Sequence, residues 1–420
     1  MSSKSVIINC RLVTPLGRSA QKGEAMRHLH TLDSAFVCIE DGLITATGPM
    51  SEFKQAPAAS SDTTVIDAVG RALLPGFVDS HTHLVFGGFR PEEFSWRLKG
   101  DSYMSIMNRG GGIQSTVNAT RLAGKPELIA RAEWFIRRMS EMGVTTVEAK
   151  SGYGLDLETE MKMLDVIEAI ATADHRQIDV VSTFLGAHAV PKEYAGRTAE
   201  YCDLIINQML PAVKHKARFF DIFTEKNVFE IDDSRRLLRA AKDAGMQLKL
   251  HADEIVRLGG AELAAEMGAV SADHLLHVSD EGITQMAQAG VVATLLPLTA
   301  FALKEPFAPA RKLIDSGCAV ALATDLNPGS CFSGSIPLTI ALACIYMNMH
   351  IEEVITALTL NGAAALGEAH SVGSIEPGKA ANLLLLDFAD YNMLPYYVGM
   401  NCVNTTIWRG NVVFKRDAII

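Results

Sequence analysis

From Gly76 to about residue 366 the chain alternates short apolar, β-branched runs with longer segments of helical period, and that rhythm restricts the fold more than any other feature. Gly76–Val78, Val144–Lys150, Asp179–His188, Phe219–Glu225, Gln247–Asp253, Val270–Leu275, Val291–Leu296 and Ala319–Asp325 read as strands. Helical period falls on Glu127–Met142, Leu157–Ala173, Asp232–Ala244, a stretch running from strand five to Met267, and segments 337–349 and 351–366. Eight strands with helices between them, over roughly 290 residues, predict an α/β fold of the (β/α)8 barrel type. An open doubly wound sheet is the alternative, and the lack of a Gly-rich phosphate turn after the first strand counts against it. Residues 85–120 read as a long polar loop over the site, with Gly110-Gly-Gly112 as a flexible bend.

Both ends of the chain are β-rich. Residues 5–15 and 35–47 are short strand-like runs with an Asp41-Gly42 hairpin signal, and Gly373–Asp387 and Thr406–Lys415 look alike. Neither end is large enough to stand alone, so together they are expected to close as a small β-sandwich. The division expected is residues 1–74 plus 373–420 for that composite domain and 75–372 for the barrel.

A net charge of −10 argues against nucleic acid as a partner, which would require a basic face. The seven Cys are scattered without a C-x-x-C, as expected for reduced thiols in a cytoplasmic protein. No apolar run has the length of a membrane span, and the N-terminal one is too short for a signal peptide.

Polar residues able to do chemistry fall at the C-terminal ends of the strands, where a barrel gathers its active site. His81 and His83 end the first strand and share a side of it; His251 ends the fifth, His274 the sixth and Asp325 the eighth. A second H-x-H pair, His28 and His30, lies on no buried strand and reads as surface. Three imidazoles and a carboxylate suit one divalent ion, zinc first, with iron or manganese as alternatives. Such an ion makes hydroxide available at neutral pH. Asp325 would ligate the ion and take the proton of the water, and His274 would stabilise developing negative charge or orient the hydroxide. Glu254, three residues past His251, would carry a proton to a leaving nitrogen.

Pro75-Gly-Phe-Val-Asp-Ser-His-Thr-His83, together with His251, His274, Asp325 and the β-rich ends, resembles the amidohydrolase superfamily across essentially the whole chain. Within it, His81–Glu93, Gly110–Ile113, Lys150–Leu155, Thr183–His188, His251–Glu254 and Thr324–Ser330 are similar to the blocks of the imidazolonepropionase family, in the same order. That resemblance implies hydrolysis of the small molecule 4-imidazolone-5-propanoate to N-formimidoyl-L-glutamate in histidine degradation, in a cytoplasmic homodimer. It implies His81, His83, His251 and Asp325 as ligands of one metal, and Arg90, Tyr153, His188, Glu254, Asn327, Gly329 and Ser330 as substrate contacts. Tyr103 is a weaker candidate. An Arg at position 90 agrees with a propanoate, to which a guanidinium offers a planar fork. Glu225, at the point where two-metal relatives place a bridging ligand, is expected to be structural. Two rivals stand beside this reading. One is a deaminase or amidohydrolase of an uncharged ring such as cytosine, guanine or a hydantoin, which Arg90 disfavours. The other is a non-catalytic barrel scaffold, which would have no need of the full ligand set.

Overall fold

The computed structural model describes residues 4–53, 63–101, 109 and 111–416. Its central feature is a sheet of eight strands in sequential order, Phe77–Asp79, Val144–Lys150, Asp179–Ala187, Phe219–Thr224, Gln247–Ala252, Ser271–His274, Val292–Leu295 and Ala319–Leu322. Each pairs in parallel with the next. The ring closes just past the first and last strands. Thr82 bridges Leu326, the Asp325 N–H donates to the His81 carbonyl (3.0 Å) and the His83 N–H to the Leu326 carbonyl (2.8 Å). Asp79 completes the seam by accepting from the Thr324 N–H (2.9 Å) and hydroxyl (2.6 Å). The expected (β/α)8 barrel is the fold, and the His81-Thr-His83 stretch is itself part of the closure.

The outer helices follow from their apolar spacing. In Lys125–Glu141 the buried positions Leu128, Ala132, Phe135, Ile136 and Met139 form one stripe, and Pro126 sits in the first turn where its missing N–H costs nothing. Each large side chain in such a stripe contributes roughly 1.5–3 kcal/mol of burial. Ile231–Asp243 buries Leu237, Leu238 and Ala241 in the same way, and Gly245 just beyond it takes a φ of 86°, which suits a residue without Cβ.

Strands from both chain ends form one mixed sheet in the order Asn411–Lys415, Val403–Trp408, Leu383–Leu386, Ala72–Pro75, Lys4–Thr14, His30–Glu40 and Leu43–Pro49, with Thr63–Asp67 parallel to Lys4–Thr14. Its apolar face has its own core, including Ile7, Leu12, Val37, Leu73, Leu385 and Ile407. Asp41 and Gly42 both have positive φ (49° and 78°), as the tight hairpin requires. The sheet passes into the first barrel strand through Gly76, where an added Cβ would lie 2.2 Å from the Thr145 hydroxyl. That contact explains the Pro-Gly-Phe spelling of the junction.

Two sequence expectations are corrected. The 85–120 segment is not a plain loop, because it carries helices Pro91–Leu98 and Ile113–Leu122. Their short polar turns lack the long apolar stripe that made other helices legible. Tyr103 and Gly110 lie outside the described residues. After strand five the helix starts only at Gly260, because Asp253 holds an intervening loop by accepting from the N–H groups of Leu258, Gly259, Gly260 and Ala261. Glu254 is therefore a loop residue and does not begin a helix.

Candidate active site

At the C-terminal end of the barrel His81, His83, His251 and Asp325 converge, all essentially buried. One ring nitrogen from each of the three histidines falls within 4.8 Å of the others. His83 Nε2 and His251 Nε2 face each other at 3.5 Å. Asp325 Oδ1 lies 3.6 Å from His81 Nε2 and 3.5 Å from His83 Nε2. The other Asp325 oxygen accepts from the Thr299 hydroxyl at 2.6 Å, which turns Oδ1 toward the histidines. Burial raises the Asp325 carboxyl to about 6. Burial first, and then the Lys150 charge, hold His81 well below the ordinary imidazole value; His83 is likewise low, through burial and then His188.

The fit to a divalent cation rests on two observations. His81 Nε2 is buried with no hydrogen-bond partner among the described residues, and one nitrogen of each of the three histidines lies within 4.8 Å of the others. Neutral imidazole nitrogens beside a carboxylate oxygen are the donor set of a borderline metal. The other ring nitrogens of two of these histidines are oriented by acids: His81 Nδ1 lies 2.6 Å from Asp273 Oδ2, and His251 Nδ1 lies 3.1 Å from Asp221 Oδ2. Such partners fix the tautomer that presents Nε2.

Beneath the histidines lies a fully buried layer of five charged residues that sequence reasoning missed. Lys150 Nζ is 2.7 Å from Asp221 and 2.8 Å from Glu148, and Lys249 Nζ is 3.1 Å from Glu148. Asp273 lies 3.9 Å and 3.7 Å from the two ammoniums. Burial pushes the Asp221 carboxyl up, but His251 and Lys150 more than offset it and hold it well below the usual range. Burial lowers Lys150 while Asp221, Glu148 and Asp273 outweigh that and keep it firmly protonated. A signal was available, since Glu148/Lys150 and Lys249/His251 are each two apart and so share a strand face. Charges on an interior face of apolar strands require partners on neighbouring strands.

Two further groups stand at the histidines. Glu254 Oε2 is 3.5 Å from His274 Nε2, and burial followed by the Asp325 charge raises its carboxyl to about 8. Both ring nitrogens of His274 are buried without a hydrogen-bond partner among the described residues. His274 and Asp325 hold φ values of 77° and 52°, a costly backbone for residues with Cβ and one that gathers at functional sites. Glu225 faces elsewhere: it accepts from the N–H groups of Lys226, Ile255 and Val256, which is the structural role expected of it.

The remaining candidates form one wall. The His188 ring stacks on His83 (5.0 Å, 16°) and its Nδ1 donates to the Gly152 carbonyl at 3.0 Å. Burial lowers His188 to about 3, so it is neutral. Tyr153 sits 5.8 Å from the His83 ring in a loop pinned by Glu160, which accepts from the N–H groups of Gly152, Gly154 and Leu155. Asn327 Oδ1 accepts from the N–H groups of Gly329 and Ser330, both at 2.8 Å, and so closes a tight turn. Arg90 lies on that turn, its Nε 3.3 Å from the Pro328 carbonyl. The structure thus brings every sequence-derived site residue to one end of the barrel, while His28 and His30 are exposed elsewhere.

A barrel whose strand ends present buried histidines and an aspartate to one cation is the architecture of metal-dependent amidohydrolases. The model of the Amidohydrolase family matches residues 72–413, and the chain belongs to that family. Its sequence is 60% identical over 415 residues to the imidazolonepropionase of Phocaeicola vulgatus, covering 98% of this chain and 99% of that one. It is also 60% identical to the imidazolonepropionase of Bacteroides thetaiotaomicron, covering 98% and 99%. Among its relatives the chain therefore stands with the imidazolonepropionases. A solved 5-methylcytosine deaminase from Klebsiella pneumoniae, liganded with phosphonocytosine, shares the fold with a TM-score of 0.73 and 19% identity, covering 99% of both chains. The family and the buried cluster together point to a divalent metal. No helix among the described residues is long and apolar enough to cross a membrane.

Proposed function

We propose that this chain hydrolyses 4-imidazolone-5-propanoate to N-formimidoyl-L-glutamate, a step of histidine degradation, as a zinc enzyme of the cytoplasm and a homodimer. The observation that carries the reading is Arg90 lying on the Asn327–Ser330 turn, which begins two residues past the Asp325 that stands with the histidine cluster. The histidine and aspartate cluster suits a carbonyl under attack, and the Arg90 guanidinium suits a carboxylate.

Water adds to the ring carbonyl carbon, the bond from that carbon to the ring nitrogen breaks, the carbonyl becomes a carboxylate, and the nitrogen leaves as the imine of the formimidoyl group. His81, His83, His251 and Asp325 would hold the metal, which when bound supplies the Lewis acidity that makes water nucleophilic at neutral pH. Asp325, fixed by Thr299, accepts the proton of the attacking water. His274 directs an unpaired ring nitrogen at the developing negative charge on the carbonyl oxygen. Glu254, raised to about 8, carries a proton at neutral pH and gives it to the departing nitrogen. Tyr153, His188 and the turn at Asn327, Gly329 and Ser330 line the ring and its side chain, with Arg90 on the propanoate.

The test is the ultraviolet absorbance of freshly generated imidazolone propanoate with wild type, Asp325→Ala and Arg90→Ala, with metal content measured in each. Metal-dependent loss of the ring band and appearance of formimidoylglutamate, abolished in Asp325→Ala and weakened in Arg90→Ala, supports the assignment. No turnover by metal-replete wild type overturns it.

A further inference from the structure

We propose that Arg97 is a positioning residue for recognition of the substrate carboxylate, holding the Pro328–Gly329 turn together with Arg90. The inference rests on the function proposed above and adds a residue to it. Arg97 stands near the end of helix Pro91–Leu98 and donates from Nη2 to the Gly329 carbonyl at 3.0 Å. Arg90, immediately before that helix, reaches the adjacent Pro328 carbonyl. Two guanidiniums from one short helical segment thus clasp two consecutive carbonyls of one turn. The turn can be approached this closely only because residue 329 lacks a side chain, since a Cβ there would fall 1.6 Å from Arg90 Nη2.

The charge balance indicates what the clasp is for. Arg90 and Glu93 are each about 10% exposed and 3.5 Å apart, and Glu93 also accepts from the Gly112 N–H. Glu93 is the acid paired with Arg90, so the group of Arg90, Arg97 and Glu93 carries a formal surplus of one positive charge. Arg97 Nη1 is buried with no hydrogen-bond partner among the described residues. Burial and the neighbouring Arg90 both disfavour the Arg97 charge. Like charges held together at a part-buried guanidinium pair are costly and are relieved by an anion. Arg97 keeps Gly329 and the outer amine of Arg90 in the arrangement that a carboxylate meets.

The test compares Arg97→Met, which keeps the apolar stem, with Arg97→Lys, which keeps the charge but loses the fork. Steady-state kinetics use 4-imidazolone-5-propanoate and its uncharged propanamide counterpart, with metal content and thermal midpoint recorded for each protein. For Arg97→Met we expect KM for the propanoate to rise about tenfold or more, with kcat within about threefold of wild type. The preference for propanoate over propanamide falls with it, metal content is unchanged, and Arg97→Lys is intermediate. An unchanged KM, or an equal loss on both substrates, overturns the proposal while the function stands. If Arg97→Met does not fold, a wild-type propanoate preference in Arg97→Lys overturns it equally. Wild type that turns over neither compound removes the function and this inference together.

Discussion

Replacing Lys150 by Met tests whether the buried charge layer supports the metal site. The ammonium lies 2.7 Å from Asp221 and 2.8 Å from Glu148, and all three side chains are fully buried. Methionine matches the stem but leaves Glu148 and Asp273 to Lys249 alone and Asp221 with no ammonium beside it. Breaking a buried pair by removing one partner costs about 3–5 kcal/mol, a large part of the roughly 5–15 kcal/mol that holds a typical protein folded. The same loss frees Asp221 from the contact that orients it on His251. Urea unfolding followed by fluorescence and circular dichroism, on metal-loaded and chelator-treated protein, measures the cost. A chelator competition measures metal retention, which is expected to fall in the variant. Adding Glu148→Gln removes one surplus negative charge, so the double variant should recover on the order of 1 kcal/mol relative to the sum of the single changes. A Lys150→Met protein within about 1 kcal/mol of wild type, or strict additivity in the double variant, would refute the coupling.

Three other outcomes follow from the site. Because ionisation of Glu254 lies at about 8 and its protonated form is the acid, kcat is expected to fall as pH rises through that value. Glu254→Gln should lose about 10²–10⁴-fold in kcat with metal content retained, and a persisting alkaline limb in that variant argues against the role. The same raised value means the metal-free fold holds a proton that the unfolded chain releases near 4.5, so its stability declines between that pH and about 8, as denaturation midpoints would record. Gly329→Ala places a methyl 1.6 Å from Arg90 Nη2 and should raise KM for the propanoate by at least about tenfold, read from initial rates. Metal at a hundred times its Kd should stabilise the wild type by about 2.7 kcal/mol and His251→Ala by far less, measured as a shift in thermal midpoint.

Much of the fold was legible because barrel strands buried on both faces are nearly continuous apolar runs, and the site residues end them. His81, His83, His251 and Asp325 could be read by spacing and position alone. Residues 85–120 hid two helices because their surfaces are polar and short, with only Gln114, Thr116, Val117 and Thr120 buried in the second. Asp273 escaped notice for a different reason. It precedes His274, and strict alternation would send one of the two away from the barrel interior, whereas a φ of 77° at His274 lets both serve the site. Thr299 lies in a helix after strand seven, and only the tertiary fold brings it to Asp325.

The charge layer and the ligand set make sense as one electrostatic unit. Glu148, Asp221 and Asp273 against Lys150 and Lys249 leave a formal charge of −1, and Asp325 adds another. Burial disfavours the His251 charge but Asp221 outweighs it and raises that ring, while His81 and His83 are held low. An imidazole that binds a cation must be neutral, so the three contribute none once a cation is held. A divalent cation would therefore bring the buried site to zero, and neutrality is what a low-dielectric interior rewards. Exchanging the two lysines for neutral residues would leave −4 around the same ligands, enough for two divalent ions. His81, Glu148 and Asp273 already lie close enough together to share one. The ammoniums of Lys150 and Lys249 occupy that neighbourhood instead, and Glu225, where a bridging ligand would stand, is spent on backbone N–H groups. The layer beneath the histidines thus supplies the counter-charge that one divalent ion needs, and no more.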